Sequence, residues 1–357
     1  MKGRDAVTAD KTSVYARRFR VLAAAFLLLF FGSFLLGRFA VAPGTLFRIL
    51  WDALREWVCK LFGAEVPGEL YSGQEKAVVL NIRLPRVALS ALVGAGLSVA
   101  GTAYQGMFRN PMVSPDLLGA STGAGFGAAL ALLLGLGYGA VTGLSFTFGL
   151  LAVLLAYLIS RVSKIQTTLA MVLAGVMISS LFTSGTSFIK LIADPTDQLP
   201  AITYWLMGSL TATKARDVQF AAWPILVGLI PLWLLRWRVN LLTVSETEAR
   251  SMGVHTGRLR VVVVLCATLM TAGSVAVSGM IGWVGLVIPH FGRMIFGQDY
   301  RKLLPASSLL GAVFLMVVDN LARTVTTSEI PLGILTSFVG APVFLYLIVS
   351  GGTQREH

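Results

Sequence analysis

The chain alternates long apolar segments with short polar connections. Ten segments are apolar and long enough to cross the roughly 30 Å of hydrocarbon in a bilayer as helices. They cover residues 21–41, 84–107, 115–138, 141–160, 168–192, 217–236, 258–280, 282–296, 303–322 and 331–350. The eighth is short and contains Pro289, and the stretch 200–212 suits an interfacial helix. The pattern predicts an all-α, polytopic membrane protein with about ten transmembrane helices.

The composition indicates that most of the protein surface faces lipid, and it excludes a soluble globular protein. Hydrophobic residues make up 55% of the chain, charged residues 13%, and mean hydropathy is +0.77. A soluble domain carries about 25% charged residues. The net charge of +12 comes from Lys and Arg in the gaps between apolar runs, whereas a nucleic-acid module clusters them on one face. We therefore expect no nucleic-acid partner.

The distribution of basic residues predicts the orientation. Placing the N-terminus in the cytoplasm puts 18 of the 29 Lys and Arg residues on the cytoplasmic side, as the positive-inside rule requires. Both termini are then cytoplasmic. Residues 1–20 are predicted to form a cytoplasmic tail, and 21–350 a single ten-helix transmembrane domain with halves 21–215 and 216–350. Arg83-Leu-Pro-Arg86 and Arg258-Leu-Arg260 open the second and seventh spans, a weak sign of an inverted repeat.

The sequence lacks the residues that several kinds of protein chemistry require. There is no G-x-x-x-x-G-K-[ST] segment, so the chain is not expected to hydrolyse ATP itself. Its two cysteines and three histidines are scattered, so neither a metal site nor a catalytic centre is predicted. An ion-coupled secondary transporter would need ionisable residues at membrane depth. Asp319 is a candidate but could simply pair with Arg323, so that class is kept only as an alternative.

Two polar regions are candidates for contacts with other proteins. In the loop 240–258, Ser245 and Glu248 form a capping box for a short helix that Gly253 would end. A plain connector would not require its own capped helix, so the pattern favours docking to a cytoplasmic partner over a merely structural turn. Arg83, Arg86 and Arg323 fall on the opposite face, where they either anchor lipid headgroups or pair with carboxylates of an extracytoplasmic protein.

Small residues recur at helical spacing within the spans. The fifth span carries Gly175, Ser179, Thr183 and Ser187, and the tenth carries Gly333, Ser337 and Ala341. Such residues allow helices to pack closely. The same faces could instead line a polar passage, and the pattern alone does not separate the two readings.

Seven ordered motifs resemble the FecCD-type permease family, which includes permeases for iron-siderophores, haem and cobalamin. The motifs are Arg83-Leu-Pro-Arg86, Arg109-Asn-Pro-Met-Val-Ser-Pro-Asp-Leu-Leu-Gly119, Tyr204-Trp-Leu-Met-Gly208, Glu248-Ala-Arg-Ser-Met-Gly253, Gly285-Leu-Val-Ile-Pro-His290, Asp319-Asn-Leu-Ala-Arg323, and Glu329-Ile-Pro-Leu-Gly333 with Gly340-Ala-Pro342. They run from about residue 80 to 350. The tail and the first loop, 42–80, are not covered.

The resemblance implies a permease subunit of an ATP-binding-cassette (ABC) importer with the inverted-repeat, type II fold. It implies a homodimer, or a pair of close paralogues, in a bacterial cell (inner) membrane. The pathway would lie at the dimer axis, lined by the fifth and tenth helices (Gly175, Ser179, Thr183, Ser187, Gly333 and Ser337). An extracytoplasmic binding protein would engage Arg83, Arg86 and Arg323. Two ATPase subunits, which bind the ATP and Mg²⁺, would dock on Ser245, Glu246, Glu248, Ala249, Arg250, Met252, Gly253 and His255. The chain itself would carry no cofactor. The expected cargo is a metal chelate, with a ferric siderophore favoured and haem or cobalamin as alternatives.

Overall fold

A computed structural model describes residues 2–37, 39–62, 73–164, 167–244 and 246–352, and in these ranges every regular element is helical. The helices are α1 (Lys2–Ser33), α2 (Pro43–Phe62), α3 (Gly73–Ala77), α4 (Leu84–Phe108), α5 (Ala120–Leu133), α6 (Tyr138–Val162), α7 (Thr167–Ile192), α8 (Gln198–Leu206), α9 (Ala215–Leu234), α10 (Arg236–Asn240), α11 (Glu246–Ser251), α12 (Thr256–Ser278), α13 (Val284–Phe296), α14 (Tyr300–Thr324) and α15 (Leu332–Gly352). A π-helical segment, Val78–Arg83, joins α3 to α4, and a 3-10 turn, Pro115–Leu118, precedes α5.

The helices confirm an all-α, multi-span architecture. Six helical segments of the described chain are long and apolar enough to cross a membrane: Gly73–Phe108, Tyr138–Val162, Thr168–Ile192, Ala215–Leu234, Thr256–Ser278 and Tyr300–Thr324. Three shorter apolar helices, Ala120–Leu133, Val284–Phe296 and Leu332–Tyr346, and the apolar half of α1 account for the remaining predicted spans. The segment expected at the interface is α8, of nine residues.

Two predicted spans differ from the structure. The third was expected over 115–138, but the 3-10 turn occupies its first residues and α5 ends at Leu133. Gly119 separates the two with φ +86°, a conformation in which glycine avoids the strain of a side chain. The first was expected over 21–41, but α1 ends at Ser33. The predicted tail 1–20 is helical from Lys2 onward.

The first loop contains a helix that the sequence analysis did not predict. Leu46 and Ile49 of α2 are buried in a cluster with Phe34, Val79 and Met316. The opposite side of α2 exposes the apolar residues Phe47, Trp51, Leu54, Val58 and Phe62. Helical spacing of apolar residues is present here, but the charged residues between them kept the segment below the hydropathy of a span.

α4 lies at the centre of the bundle, packed by α9, α12, α13 and α14. Its glycines allow this packing. A Cβ at Gly94 would lie 2.2 Å from the carbonyl oxygen of Gly311 in α14, and a Cβ at Gly311 equally close to that of Gly94. Side chains at either position would separate the two backbones. For α4, close packing is therefore the role of the small residues.

The bundle has two ends, which we name by one residue each. The Arg86 side is the end where α4 begins and α14 finishes, together with the loops 209–214 and 325–331. The Glu248 side is the end where α4 finishes, α12 and α14 begin, and α11 lies. These names carry no assumption about which end faces the cytoplasm.

Asp299 caps α14 on the Glu248 side. Its carboxylate accepts hydrogen bonds from the backbone N–H of Arg301 (3.0 Å) and from Nδ2 of Asn240 at the end of α10 (2.8 Å). The guanidinium of Arg301 adds an ion pair at 2.8 Å. Partial burial raises the pKa of Asp299, but hydrogen bonds from Arg301 and Asn240 outweigh it and lower the pKa to about 2.

We expect the stabilisation from Asp299 to depend on pH. Because its pKa is lower in the folded protein than the ordinary 3.8, the contribution is complete above about pH 4 and is lost as pH falls towards 2. Asp299→Asn should cost about 1 kcal/mol at pH 7, given the exposure of the pair. Thermal unfolding of both proteins in detergent between pH 2 and 7 tests this. A difference that did not shrink at low pH would exclude a charge-based cap.

Candidate docking and pathway sites

The buried guanidinium of Arg86 is surrounded by carboxylates on the Arg86 side. Its Nε and Nη2 donate to Asp319 of α14 at 2.9 and 2.8 Å, and its Nη1 donates to Glu329 at 2.9 Å. The side chains of Arg86 and Asp319 are 7% and 1% exposed. Both nitrogens converge on Oδ1 of Asp319, and Nε also lies 3.2 Å from Oδ2, so the pair is held by charge-assisted hydrogen bonds, which are stronger than neutral ones. This cluster joins the start of α4 to the end of α14.

The other two predicted arginines lie beside this cluster and are also buried. Arg83 donates to the backbone carbonyls of Phe34 and Phe39, in the connection after α1. Arg323 donates to the carbonyl of Ser33 at 2.7 Å and to the side chain of Asn320. Its Nε lies 3.9 Å from Asp319, as the sequence analysis allowed.

The three arginines thus come together as expected, but their setting is not that of a free docking surface. Arg83, Arg86 and Arg323 are 4%, 6% and 8% exposed, and each is held by groups of its own chain. Arg83 and Arg86 turn to different partners, although their spacing places them on one side of the helix. Anchoring of lipid headgroups does not fit such burial. Contact with a binding protein stays a prediction, and it would require these bonds to be shared or exchanged.

Glu329 is a residue of this cluster to which sequence reasoning assigned no role. Besides Arg86, its carboxylate accepts a hydrogen bond from Oγ1 of Thr211 at 2.7 Å. Beside it, the backbone N–H of Leu332 donates to Gly208, and that of Ser209 to Ser278. Glu329 therefore links α4 to the loop before α9, next to the start of α15. The sequence feature that could have indicated this role is its position at the start of the Glu329-Ile-Pro-Leu-Gly333 motif.

On the Glu248 side, the loop 240–258 contains the expected short helix, α11. Gly253 ends it with φ +78°, and the N–H of Val254 bonds back to the carbonyl of Ala249 at 3.1 Å. This is the Schellman arrangement of a glycine stop. The predicted cap Ser245 lies outside the described residues, and for Glu246 and Arg250 only the backbone is described.

The described side chains of α11 and of the turn that follows it divide into a buried and an exposed set. Ala249 is fully buried, whereas Glu248, Met252 and His255 are exposed. The loop before α11 is held by Arg109, whose Nε donates to the carbonyl of Leu242 at 2.9 Å and whose Nη2 donates to that of Val244. Arg109 has φ +52° at the end of α4. It opens one of the motifs, but its role as the anchor of this loop was not foreseen.

The predicted pathway residues divide between two cavities. Ser179 and Thr183 of α7 line a cavity of about 470 Å³, together with Asp116. Ser337 of α15 and Gly333 line another, of about 600 Å³, with Met207 and Met280. Gly175 instead packs under the 3-10 turn, because its Cβ would lie 2.3 Å from the carbonyl oxygen of Leu117. Ser187 is exposed and donates to the carbonyl of Thr183 at 3.0 Å.

A larger cavity, of about 880 Å³, opens on the Arg86 side. It lies between α8, the loop 209–213, the end of α12 and the segment 326–331. Tyr204, Trp205 and Tyr138 contribute aromatic rings, and Glu329 contributes a carboxylate. Among the described residues, no group of three His, Cys, Asp or Glu side chains could hold a metal ion.

Comparison with known proteins agrees with this architecture. The chain is 37% identical over 325 residues to the molybdate import system permease protein MolB of Haemophilus influenzae, covering 90% of this chain and 92% of MolB. It is 43% identical over 271 residues to a Helicobacter pylori protein named "probable iron chelatin transport system permease protein", covering 76% and 82% of the two chains.

A solved structure has the same fold. A chain described as belonging to a metal-chelate type ABC transporter in an inward-facing conformation superposes with a TM-score of 0.78 at 32% identity, covering 94% of this chain and 99% of the other. The family model described as the FecCD transport family matches residues 25–350. The chain belongs to the FecCD transport family.

Proposed function

We propose that the chain is the membrane-spanning subunit of an ABC importer that moves a metal chelate, with a ferric siderophore favoured over haem and cobalamin. Two chains, or one and a close paralogue, form the pathway between them. Two ATPase subunits dock on the Glu248 side and supply the ATP and Mg²⁺ chemistry, while an extracytoplasmic binding protein delivers cargo to the Arg86 side. The Glu248 side and both termini then face the cytoplasm of the bacterial inner membrane.

The observation that carries this proposal is the form of α11. The helix is closed by its own glycine stop, its loop is anchored through Arg109, and Met252 at its end is 58% exposed. A connector between α10 and α12 needs no separate helix held in this way. A rigid helix with an exposed apolar residue at its end suits a cleft in a partner, because its backbone is already ordered and loses little conformational freedom on docking.

Met252→Asp tests the docking of the ATPase. Since Met252 is exposed, the substitution should leave the stability of the permease unchanged and lower the amount of co-purifying ATPase about tenfold, which corresponds to about 1.4 kcal/mol. Lys164→Asp, at an exposed residue of another loop on the same side, is the matched control and should retain the ATPase. Equal retention by both variants would contradict docking at α11.

The binding-protein part of the proposal needs a test that separates docking from folding. Charge reversal of Arg83 and Arg86 should abolish stimulation of ATPase activity by the binding protein. It also places new acids beside Asp319 and Glu329, so thermal stability and ATPase retention must be measured on the same preparation. Glu329→Gln gives the converse variant, because it frees part of Arg86 without adding a charge. Unchanged stimulation in a folded double reversal would contradict the proposed contact.

A competing function, ion-coupled transport, gains little from the structure. The structure adds Asp116, in the turn before α5, to the acids considered from the sequence, yet Asp116 and Asp319 lie in separate environments and are not linked by contacts among the described residues. An ion-coupled protein would import its cargo in vesicles without ATP and would lose uptake on addition of an uncoupler. The importer proposed above requires ATP inside the vesicles.

A further inference from the structure

The 3-10 turn Pro115–Leu118 lies deep in the bundle, about midway along α4, rather than at the end of the bundle. A Cβ at Gly285 would lie 2.2 Å from Cγ of Pro115 and 2.7 Å from the carbonyl oxygen of Leu97. Leu97 is close to the midpoint of α4, which spans Leu84–Phe108. On the other side, the carbonyl of Leu117 meets α7 at Gly175, eight residues beyond Thr167 and therefore about 12 Å along the helix.

This depth gives Asp116 unusual surroundings for a carboxylate. Its side chain accepts a hydrogen bond from Oγ of Ser121, in the first turn of α5. It also lines the 470 Å³ cavity, whose other walls come from Ser114, Leu117 and α7. The described residues that line this cavity include no Lys, Arg or His. An ionisable residue at this depth is costly and points to function.

The opposing wall of the cavity presents hydroxyl groups at helical spacing. Ser179, Ser180, Thr183 and Ser184 of α7 line it along about one turn and a half, with Val176 as the apolar member. The cavity therefore combines one carboxylate with hydroxyls that can accept or donate hydrogen bonds. Phe188, Leu181 and Met177, beside this face, are exposed in the single chain, so the face is available to a second copy and to a passage between copies.

We propose that Asp116 and the hydroxyl face of α7 form a selectivity site in the pathway, which contacts hydrogen-bond-donating or cationic groups of the cargo and repels oxyanions. This rests on the proposed function, because it takes α7 to line the passage. A fixed carboxylate with no basic neighbour in its cavity repels an anion. Such an unfavourable contact with the wrong ligand is one way in which a site becomes specific. The site accordingly disfavours a bare oxyanion such as molybdate as the cargo, whatever the binding protein delivers.

Charged thiol reagents test the site without knowledge of the cargo. In a Cys59→Ser, Cys266→Ala background, Thr183→Cys is introduced into the full chain, co-expressed with its ATPase and reconstituted in lipid vesicles. The rates of modification by a cationic trimethylammonium-ethyl and an anionic sulfonatoethyl methanethiosulfonate are then compared. With Asp116 present the cationic reagent should react preferentially, and Asp116→Asn should reduce that preference on the order of tenfold.

Two further variants make the result specific. Asp116→Glu keeps the charge and should keep the preference, which separates charge from misfolding. Ser337→Cys, in the cavity of α15, should show a reagent ratio that Asp116→Asn leaves unchanged. The inference is overturned if Asp116→Asn does not alter the ratio at Thr183→Cys, or if that cysteine is not modified at all. ATPase retention, measured on the same vesicles, reports on the proposed function separately.

Discussion

Replacing Asp319 with alanine is expected to lower the free energy of unfolding by about 3–5 kcal/mol, because it leaves the guanidinium of Arg86 buried without its main partner. Asp319 is 1% exposed and receives three of the donor contacts of Arg86. Arg323, 3.9 Å away, would lose its nearby carboxylate as well. The change would thus unpair positive charge at the junction of α4 and α14. Denaturant unfolding of the detergent-solubilised permease measures the loss.

Glu329→Gln is the matched control for this prediction. Glu329 contacts the same guanidinium, but its side chain is 28% exposed, and glutamine can still accept the hydrogen bond from Thr211. Its expected cost is about 1 kcal/mol or less. An Asp319→Ala loss no larger than that of Glu329→Gln would show that the buried pair contributes little to the fold.

A double-mutant cycle then isolates the pair. If Arg86→Met and Asp319→Leu are combined, no charge is left unpaired between these two positions, and the double variant should be more stable than Asp319→Leu alone. If the losses of free energy in the two single variants simply added up in the double variant, the two residues would act independently. The 2.8 and 2.9 Å contacts between them argue against that outcome.

The same cluster has a consequence for how a binding protein could act. Arg86 already has two intrachain carboxylates, so an arriving carboxylate must displace Glu329, the more exposed of the two, or share the guanidinium with it. Displacement would break the contact between Arg86 and Glu329, and with it the link from α4 through Glu329 to Thr211 in the loop before α9. Within the proposed function, delivery of cargo and loosening of the Arg86 side would then be one event.

The helices were predictable from the sequence because each depends on a local property. The apolar length of α6, α7, α9 and α12 exceeds what a soluble helix needs, and the boundaries observed differ from those expected by only a few residues. The glycine stop of α11 was likewise a local signal. α2 was missed because its apolar residues form only one stripe, a pattern that length and mean hydropathy do not detect.

The environment of the candidate sites was not predictable in the same way. Sequence spacing placed Arg83 and Arg86 near each other, but the partners of Arg86 are 233 and 243 residues further along the chain. Asp116 was taken as the start of a span, because nothing local reveals that Pro115 packs on Gly285 and carries the turn into the membrane. Burial and pairing of charges depend on contacts that only the folded chain brings together.

The close approach of α4 to α13 should be the most sensitive packing contact in the bundle. A Cβ at Gly101 would lie 1.8 Å from the carbonyl oxygen of Gly285 and 2.6 Å from its carbonyl carbon. Both atoms belong to backbone, and Gly285 is itself held by Pro115 at the membrane-embedded turn. Gly101→Ala therefore forces two helices apart, with an expected cost of about 3 kcal/mol or more. The yield of monodisperse protein and its denaturant midpoint measure the effect.

Two comparisons separate this contact from general intolerance of alanine. A Cβ at Gly143 of α6 would meet no atom of a neighbouring element within 4 Å, so Gly143→Ala should stabilise the helix by about 0.5–1 kcal/mol. A Cβ at Gly106 would meet the side chain of Tyr300 at 2.7 Å, so the loss in Gly106→Ala should be recovered in part by Tyr300→Leu. No second substitution can make room at Gly101, since its neighbour is already glycine. Because the same contact holds the turn that carries Asp116, a tolerated Gly101→Ala would contradict both the packing and the depth assigned to that turn.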